Sequence, residues 1–390
     1  MKLSSGLSLA YCTNVHRGEG WVETFAGLSD HAMRVRDRVS PGQTYVLGLR
    51  LGDRAAAELA EPATLTAFRH WLEKENCVVA GINGFPFGPF HGQAVKDNVF
   101  APDWCEPARL EYTNRLFDLL AAFGPPDKVG TVSTLPGSFK GFGRTADELK
   151  VMRRHLLACG EHLDRLRDRT GVTLRLALEP EPIGHAENTP EAIRLFEQLR
   201  AEEPSKGLVD RTLGIAYDTC HFALQYEQAH EAISRLDAGG APVLKFHLSS
   251  ALRLKPTEVA LARLAKMHEP VYLHQTMGRA KDGSIVRFKD IPLAMAAIDQ
   301  LRTLEELRVH FHVPVNADHL SDELSTTNDH LRDAIAVIGK NPGRYRELEI
   351  ETYTWEVLPA EVRTADVADM IAAEYRWTLA ELAKAGVKPL

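Results

Sequence analysis

The chain has 390 residues, of which 44% are apolar and 25% charged, and its formal net charge at pH 7 is −7. This is the composition of a globular protein, and the negative charge gives no reason to expect a nucleic-acid partner. No apolar run approaches the roughly 20 residues of a membrane helix, and the N-terminal segment is too short and polar for a secretory signal. Five scattered cysteines without a CxxC pair are typical of reduced thiols, so we expect a cytoplasmic protein.

Strand-like and helix-like segments alternate along the chain. The first predicted strands are 8–16, 44–51, 77–85 and 129–135, and the first predicted helices are 21–39, 63–76, 107–123 and 145–170. Three further strands, at 173–178, 213–217 and 243–247, alternate with helices at 190–203 and 226–236. Such alternation predicts βα units with a parallel sheet. A doubly wound open sheet is the alternative, but no GxGxxG motif follows the first strand.

The number of strand-like runs exceeds what a simple barrel requires. About ten candidates occur, whereas a (β/α)8 barrel has eight strands. Asp282-Gly283 is a hairpin signal, so we expect 271–289 to be a hairpin arm on the C-terminal face. The run starting at Ser8 or the run 348–355 is an alternative for a strand outside the barrel. The fold prediction is an α/β protein, a (β/α)8 TIM barrel with extra strands or a hairpin arm on its C-terminal face, formed by residues 1–390 as one domain with the hairpin insertion near 271–289.

Metal-capable side chains stand where three of these strands end. They are Glu179 and Glu181 after 173–178, Asp218 and His221 after 213–217, and His247 at the end of 243–247. The C-terminal ends of parallel barrel strands meet at one face, so we expect Glu179, Asp218 and His247 to hold a divalent metal ion, with His221 as a further ligand. Carboxylate and imidazole ligands suit Mn²⁺, Mg²⁺, Co²⁺, Zn²⁺ or Fe²⁺.

Each of these residues also has a structural interpretation. Glu179 and Glu181 share one face of the chain, and they could form a surface carboxylate pair at a strand end. Asp218 could cap the following helix, and His247 could be a hydrogen-bonded core histidine.

Later side chains are candidates to complete the metal site. They are His274, His312 and Glu351, which lie in the later strand-like runs 271–274, 309–312 and 348–351. His310 stands in phase with His312, and Glu349 with Glu351, so either member of each pair could point inward.

Loops rich in aromatic and polar residues follow several strands. Phe85, Phe87 and Phe90 lie in the Gly/Pro-rich loop 83–91, where they could line a substrate pocket or pack beneath a neighbouring loop. The segment 131–140 adds hydroxyls and a lysine, and 351–355 adds an aromatic edge.

Several segments together resemble a known family. They are Ala10-Tyr-Cys-Thr-Asn-Val-His16, Ile82-Asn-Gly-Phe-Pro86, Ser133-Thr-Leu-Pro-Gly-Ser-Phe139, Tyr217-Asp-Thr-Cys-His221, His310-Phe-His-Val-Pro314 and Ile350-Glu-Thr-Tyr-Thr-Trp355. They look like the EboE-type metabolite traffic protein, which belongs to the xylose isomerase-like TIM barrel superfamily. The resemblance implies a role in a bacterial gene cluster that handles or exports a metabolite precursor, with partners from the same cluster.

The resemblance also carries expectations about the site. Enzymes of the superfamily hold a divalent metal with Glu, Asp and His at successive strand ends, and Glu179, Asp218 and His247 match that order. The family's fourth ligand is a Glu on the next strand, and here the sequence departs from the pattern. His274 and His312 fall in that region, whereas a Glu appears only at Glu351.

These observations lead to one leading hypothesis and two rivals. We expect a metal-dependent enzyme, isomerase- or epimerase-like, that acts on a small hydroxylated or sugar-like metabolite, with Glu181, Glu351 or His274 moving the proton. A non-catalytic metabolite-binding protein on the same barrel is the first rival, and the missing fourth Glu favours it. An endonuclease IV-like phosphodiesterase is the second, which the negative charge disfavours. The sequence leaves open whether the chain is an enzyme, which metal it takes and what its substrate is.

Overall fold

A closed barrel of eight parallel strands forms the centre of the molecule. The computed structural model describes residues 1–89, 95–341, 343–352 and 366–390. Helices lie between the barrel strands, so the predicted (β/α)8 TIM-barrel fold is confirmed. Phe90 of the predicted aromatic loop and the predicted aromatic edge at 353–355 lie outside the described residues.

The strands follow one another around the barrel almost in chain order. The strands are β1 (Ser8–Cys12), β2 (Tyr45–Arg50), β3 (Cys77–Asn83), β4 (Val129–Thr134), β5 (Thr173–Leu178), β6 (Leu213–Asp218), β7 (Val243–Leu248), β8 (Leu252–Leu254), β9 (Thr276–Arg279), β10 (Ile285–Phe288), β11 (Glu306–Val309), β12 (Ser325–Thr326) and β13 (Glu347–Ile350). The barrel order is β1-β13-β7-β6-β5-β4-β3-β2, and β2 pairs with β1 to close it. The eighth barrel strand is therefore β13, next to β7.

The helices surround the barrel, and side-chain caps begin several of them. They are α1 (Trp21–Gly27), α2 (Met33–Val39), α3 (Asp53–Leu59), α4 (Pro62–Lys74), α5 (Pro107–Phe123), α6 (Ala146–Thr170), α7 (Thr189–Glu202), α8 (Leu208–Thr212), α9 (Thr219–Leu224), α10 (Ala229–Ala238), α11 (Glu258–Lys266), α12 (Ile291–Ala296), α13 (Ile298–Leu301), α14 (Asn328–Lys340) and α15 (Val367–Lys384). Thr145 and Glu148 form a capping box at the start of α6, and Gly171 ends that helix in the left-handed conformation. None of the helices in the described residues is both long and apolar enough to cross a membrane.

An antiparallel sheet lies between β7 and β13. Its order is β10-β9-β11-β8-β12. β9 and β10 pair within the range predicted as a hairpin arm, on either side of Asp282 and Gly283. β8, β11 and β12 enlarge this pair into a five-stranded sheet, so the predicted extra strands are present.

The assignment of the last strand-like runs needs correction. Residues 271–274 are not a strand, and β11 ends at Val309, before His310 and His312. The suggestion that Ser8 or the run after residue 348 lies outside the barrel was wrong, because β1 and β13 pair with each other in parallel. A short apolar run has the same pattern in a barrel strand and in an inserted sheet, which explains the error.

Charged side chains fill the barrel interior beneath its C-terminal face. Lys245 Nζ lies 2.8 Å from Glu347 Oε1 and 2.7 Å from Glu349 Oε2, and all three side chains are buried. Burial acts to lower the pKa of Lys245, but the two carboxylates outweigh it and raise that pKa. A Cβ at Gly48 or Gly81 would overlap the carboxylate of Glu349 or Glu347 respectively, so these glycines make the room that the carboxylates occupy.

Candidate metal centre

Four consecutive barrel strands bring four side chains together at the C-terminal face. Glu179 follows β5, Asp218 ends β6, His247 lies in β7 and Glu351 follows β13. One ligand atom from each lies within 4.8 Å of the others, and all four side chains are buried. We call these four residues the tetrad. The three residues expected to share a metal ion thus converge, and Glu351 occupies the next strand end, where the fourth Glu was expected.

His247 stands at the centre of the tetrad. Its Nδ1 lies 3.1 Å from Glu179 Oε1, 3.1 Å from Glu351 Oε2 and 3.9 Å from Asp218 Oδ2. Burial acts to lower the pKa of His247, but the carboxylates of Glu179 and Glu351 outweigh it and raise that pKa well above its ordinary value. Positive charge at this point is therefore strongly favoured.

Asp218 has two roles at once. Its Oδ1 accepts hydrogen bonds from the backbone N–H of His221 at 2.9 Å and from Ser249 Oγ at 2.8 Å. The first of these bonds caps α9, as the structural interpretation of Asp218 predicted. The other oxygen, Oδ2, belongs to the tetrad, so capping and ligation are compatible.

Within the described part of the chain, the lack of hydrogen-bond partners at two carboxylate oxygens of the tetrad indicates that a cation fits between them. Glu179 Oε2 and Asp218 Oδ2 are buried and have no hydrogen-bond partner among the described residues. Burial raises the pKa of Glu179, and it also raises the pKa of Glu351. Burying unpaired carboxylates costs several kcal/mol by typical transfer estimates, and a cation in their midst would remove that cost. The residues therefore fit a divalent metal ion.

Two asparagines that the sequence analysis did not single out hold Glu351. Asn14 Nδ2 and Asn83 Nδ2 donate to Glu351 Oε1 at 2.6 and 3.0 Å. Asn83 ends β3, and Asn14 lies just after β1. Both are polar residues at the end of an apolar run, the same signal that identified the acidic ligands.

A second group of ligand atoms lies beside the tetrad. His310 Nε2 is 3.2 Å from His221 Nε2 and 3.1 Å from His312 Nε2. Glu181 Oε2 lies 3.0 Å from His221 Nε2. We call His221, His310 and His312 the histidine group. The two groups are adjacent, since Asp218 also lies within ligand distance of His221 and His312.

The hydrogen bonds of the histidine group determine where its protons lie. His221 Nδ1 is 3.1 Å from the carbonyl oxygen of Pro180, and His312 Nδ1 is 2.8 Å from that of Glu351. A carbonyl oxygen only accepts, so Nδ1 of each of these two rings carries a hydrogen, and Nε2 is the ring atom directed toward His310. Burial lowers the pKa of His221, and burial together with His312 lowers that of His310 well below its ordinary value. Neutral imidazole is the form that binds metals.

The structure does not bring His274 into either group. Its Nδ1 donates to the carbonyl oxygen of His310 at 2.8 Å, and its Nε2 lies 2.9 Å from Glu269 Oε1. Its ring stacks on Phe311, with 3.8 Å between the ring centroids. The expectation that His274 is a ligand or a proton carrier assumed a barrel strand at 271–274, and that strand is absent.

A narrow pocket leads to both groups. It leaves about 60 Å³ for the centres of water-sized molecules, and its lining includes Glu179, Glu181, Glu351 and members of the histidine group. Phe85, Val95, Val99 and Leu273 form an apolar wall, so Phe85 lines the pocket as one of the two interpretations of its loop anticipated. Phe87 packs against Tyr112, outside this pocket.

Lys96 joins two segments at the pocket. Its Nζ lies 2.7 Å from both the carbonyl oxygen of Tyr272 and Asp290 Oδ2, and the backbone N–H of Val95 donates to the carbonyl oxygen of Val271. Among the described lining residues, Lys96 is the one lysine or arginine. Its ammonium group is therefore bound by the protein rather than presented to a ligand.

Comparisons with known proteins give structural likenesses only. No protein-family model and no curated protein matches the chain. A D-tagatose 3-epimerase-like protein is 10% identical with a TM-score of 0.49, covering 97% of this chain and 100% of its own. The IOLI protein with a binding zinc atom is 9% identical (TM-score 0.46; 97% and 99% covered), and the probable 3-DHS dehydratase AsbF from Bacillus anthracis is 11% identical (TM-score 0.45; 95% and 98% covered). At these TM-scores the likenesses carry no argument about what this chain binds or does.

Proposed function

We propose that the chain is a metal-dependent enzyme, isomerase- or epimerase-like, that acts on a small hydroxylated or sugar-like metabolite and holds two divalent ions. The observation that carries this proposal is the pairing of two adjacent sets of buried ligand atoms. The tetrad contains carboxylate oxygens without hydrogen-bond partners among the described residues, and in the histidine group His310 Nε2 lies 3.2 Å from His221 Nε2 and 3.1 Å from His312 Nε2. One ion in each set would satisfy both.

The tetrad and the histidine group differ in the metals they favour. The tetrad offers three carboxylates and one imidazole, which suit Mn²⁺, Mg²⁺, Co²⁺, Zn²⁺ or Fe²⁺. The histidine group offers three imidazoles, which favour Zn²⁺, Co²⁺ or Fe²⁺ over Mg²⁺. We therefore expect Mg²⁺ to be a poor substitute at the second position.

The pocket residues have distinct roles in the proposed reaction. A bound divalent ion supplies Lewis acidity that polarises a carbonyl or hydroxyl oxygen. Glu181 lines the pocket, and burial raises the pKa of its carboxyl group, which suits an Oε2 atom that takes up and returns a proton. The small volume of the pocket limits the substrate to a small molecule, and the apolar wall that includes Phe85 and Leu273 would contact the apolar face of that molecule.

The hypothesis of a non-catalytic metabolite-binding protein was favoured by the apparent absence of a Glu on the strand after His247. That reason no longer applies. Glu351 lies at the end of β13, which pairs with β7, and the inserted sheet together with helices α11 to α14 separates Glu351 from His247 in sequence. The resemblance to the EboE-type family implies that the enzyme acts on the metabolite that its gene cluster handles.

Phosphoester hydrolysis is a second candidate function. The adjacency of two ligand groups favours it, because two-metal sites stabilise both the attacking and the leaving oxygen of a phosphoester. The pocket disfavours it, because the ammonium group of Lys96 is already bound by protein oxygens. The net charge of −7 also disfavours a nucleic-acid substrate.

Hydrogen exchange in D₂O tests the proposal without knowledge of the product. Metal-depleted protein is loaded separately with Zn²⁺, Co²⁺, Mn²⁺ or Mg²⁺ and incubated with a panel of aldoses, ketoses and inositols, and NMR follows loss of the C–H signal next to the carbinol or carbonyl carbon. We expect metal-dependent exchange in the wild type and its loss in Glu181→Gln. The matched control is Glu187→Gln, since Glu187 is equally buried but pairs with Lys140 outside the pocket.

Two results would count against the proposal. The first is the absence of exchange with every metal and every substrate of the panel. The second is metal-dependent cleavage of bis(p-nitrophenyl) phosphate without any exchange, which would favour the phosphoesterase candidate.

A further inference from the structure

The side chain of Gln275 lies between Glu181, which lines the pocket, and His310 of the histidine group. Its Nε2 is 2.8 Å from Glu181 Oε1 and 3.2 Å from the carbonyl oxygen of Pro182. Its Oε1 is 2.6 Å from His310 Nδ1. Gln275 is 1% exposed and His310 6%, so water does not replace these contacts.

These contacts fix the orientation of the amide. Both atoms near Nε2 are oxygens that accept hydrogen bonds, and only the NH₂ end of the amide can donate to them. The oxygen end must therefore face His310, and an amide oxygen cannot donate. It follows that His310 Nδ1 carries the hydrogen and that its lone pair lies on Nε2, toward His221 and His312.

The inserted sheet presents Gln275 and His310 as a unit. Gln275 immediately precedes β9, and His310 immediately follows β11. Thr276 and Val309 are register partners in that antiparallel pair, and the backbone N–H of His310 donates to the carbonyl oxygen of Gln275 at 2.9 Å. Side chain and backbone of Gln275 thus hold His310 from two directions.

We propose that Gln275 is a positioning residue that selects the Nδ1–H tautomer of His310 and so prepares its Nε2 as a metal ligand. The proposal deepens the proposed function and rests on its second metal position. Among the described residues, the other oxygen near His310 Nδ1 is Glu181 Oε1 at 3.3 Å, a longer contact than the 2.6 Å to Gln275 Oε1. A hydrogen bond from the second ring nitrogen of a ligating histidine fixes tautomer and orientation, and its loss typically costs about 10- to 100-fold in metal affinity.

The direct test measures the tautomer in metal-free protein. Two-bond ¹H–¹⁵N correlation spectra of ¹⁵N-histidine-labelled protein distinguish Nδ1–H from Nε2–H, and His310→Asn assigns the signal. We expect Nδ1–H in the wild type, retention of Nδ1–H in Gln275→Glu, which keeps an oxygen facing His310, and Nε2–H or a mixture in Gln275→Leu. Nδ1–H as the sole form in Gln275→Leu, or its loss in Gln275→Glu, would overturn the proposal, and the second variant remains informative if the first does not fold.

Cobalt titration then tests the consequence for metal binding. We expect wild type to bind two equivalents, and Gln275→Leu to bind the first normally and the second about 10- to 100-fold more weakly. Gln225→Leu is the matched control, since Gln225 is buried but contacts Arg287 instead of a histidine. Equal affinity of wild type and Gln275→Leu for both equivalents would refute the role of Gln275.

The two measurements keep the proposals separate. A wild type that binds fewer than two equivalents would contradict the two-ion function. The tautomer spectra, which need no metal, would still decide whether Gln275 controls His310.

Discussion

At the scale of single residues, two of the tetrad carboxylates, Asp218 and Glu351, are held through an oxygen other than the one that points toward His247. Asp218 is held through Oδ1 by His221 and Ser249, and Glu351 through Oε1 by Asn14 and Asn83. The opposite carboxylate oxygens remain available. Such pre-orientation by outer partners is how proteins fix ligand geometry before a metal arrives.

Substitution of His247 tests the tetrad. We expect His247→Asn to remove the metal bound by the tetrad, because its Nδ1 contacts three carboxylates of that group. His274→Asn is the control, since His274 is equally buried but lies outside both groups. Metal analysis of the purified variants should show about one equivalent fewer in the first and no change in the second. The reverse pattern would show that the ligand assignment is wrong.

The sequence carries enough information for the first three ligands because they end successive strands. Glu179, Asp218 and His247 each follow an apolar run, and barrel topology alone makes such positions meet. The sequence identified Glu351 as a candidate ligand but did not show that it follows the strand next to β7, because the inserted sheet separates β13 from β7 along the chain. Gln275 gave no signal, since a glutamine in a loop has no periodic pattern.

At the scale of elements, the barrel interior and the inserted sheet each contribute to the site. β7 and β13 are in register, so Lys245 faces Glu347 and His247 faces Glu349. This stack places one ammonium group and the two carboxyl groups paired with it directly under the tetrad. The insertion adds Gln275 and His310 from above, so the centre is built from two different sheets.

The packing of Glu349 predicts a strong effect of one small substitution. A Cβ at Gly48 would overlap the Glu349 carboxylate, which is held by Lys245 and has little freedom to move. We expect Gly48→Ala to lower the free energy of unfolding by about 1–3 kcal/mol, the usual cost of overpacking. Gly88→Ala is the matched control, because nothing lies within 4 Å of a Cβ there. Equal midpoints in urea unfolding for the two variants would contradict this account of the interior.

At the scale of the whole molecule, the alternation of segments was sufficient to predict the barrel but not its closure. β1 through β7 follow the predicted strands closely, because parallel strands covered by helices are continuous apolar runs. The eighth strand was ambiguous, because β13 has only four residues and several runs of the insertion look alike. Choosing between them requires the pairing of β13 with β1 and β7, which is a long-range property.

Global stability should depend on pH through a buried histidine outside the metal centre. His330 Nδ1 donates to the carbonyl oxygen of Glu227, its Nε2 accepts from the hydroxyl of Tyr217, and burial lowers its pKa to about 4. Between that value and the ordinary 6.5, the unfolded chain binds a proton that the folded protein excludes, so this stability is present above pH 6.5 and lost as the pH falls toward 4.

The size of this effect can be measured by difference. The shift in pKa corresponds to a loss of about 2 kcal/mol between pH 7 and pH 5. Urea unfolding of metal-free wild type and His330→Gln at both pH values isolates the contribution of His330, because all other groups are shared. We expect the variant to lose about that much less stability than the wild type over the same interval. Parallel losses in the two proteins would show that His330 accepts a proton in the folded state.

Anomalous diffraction from crystals grown with Co²⁺ tests the two-ion centre most directly. The account predicts two anomalous peaks at the C-terminal mouth of the barrel, one in contact with Glu179, Asp218, His247 and Glu351, and the other in contact with the Nε2 atoms of His221, His310 and His312. If the tetrad or the histidine group lacks an anomalous peak at saturating Co²⁺, the result would contradict the two-ion centre.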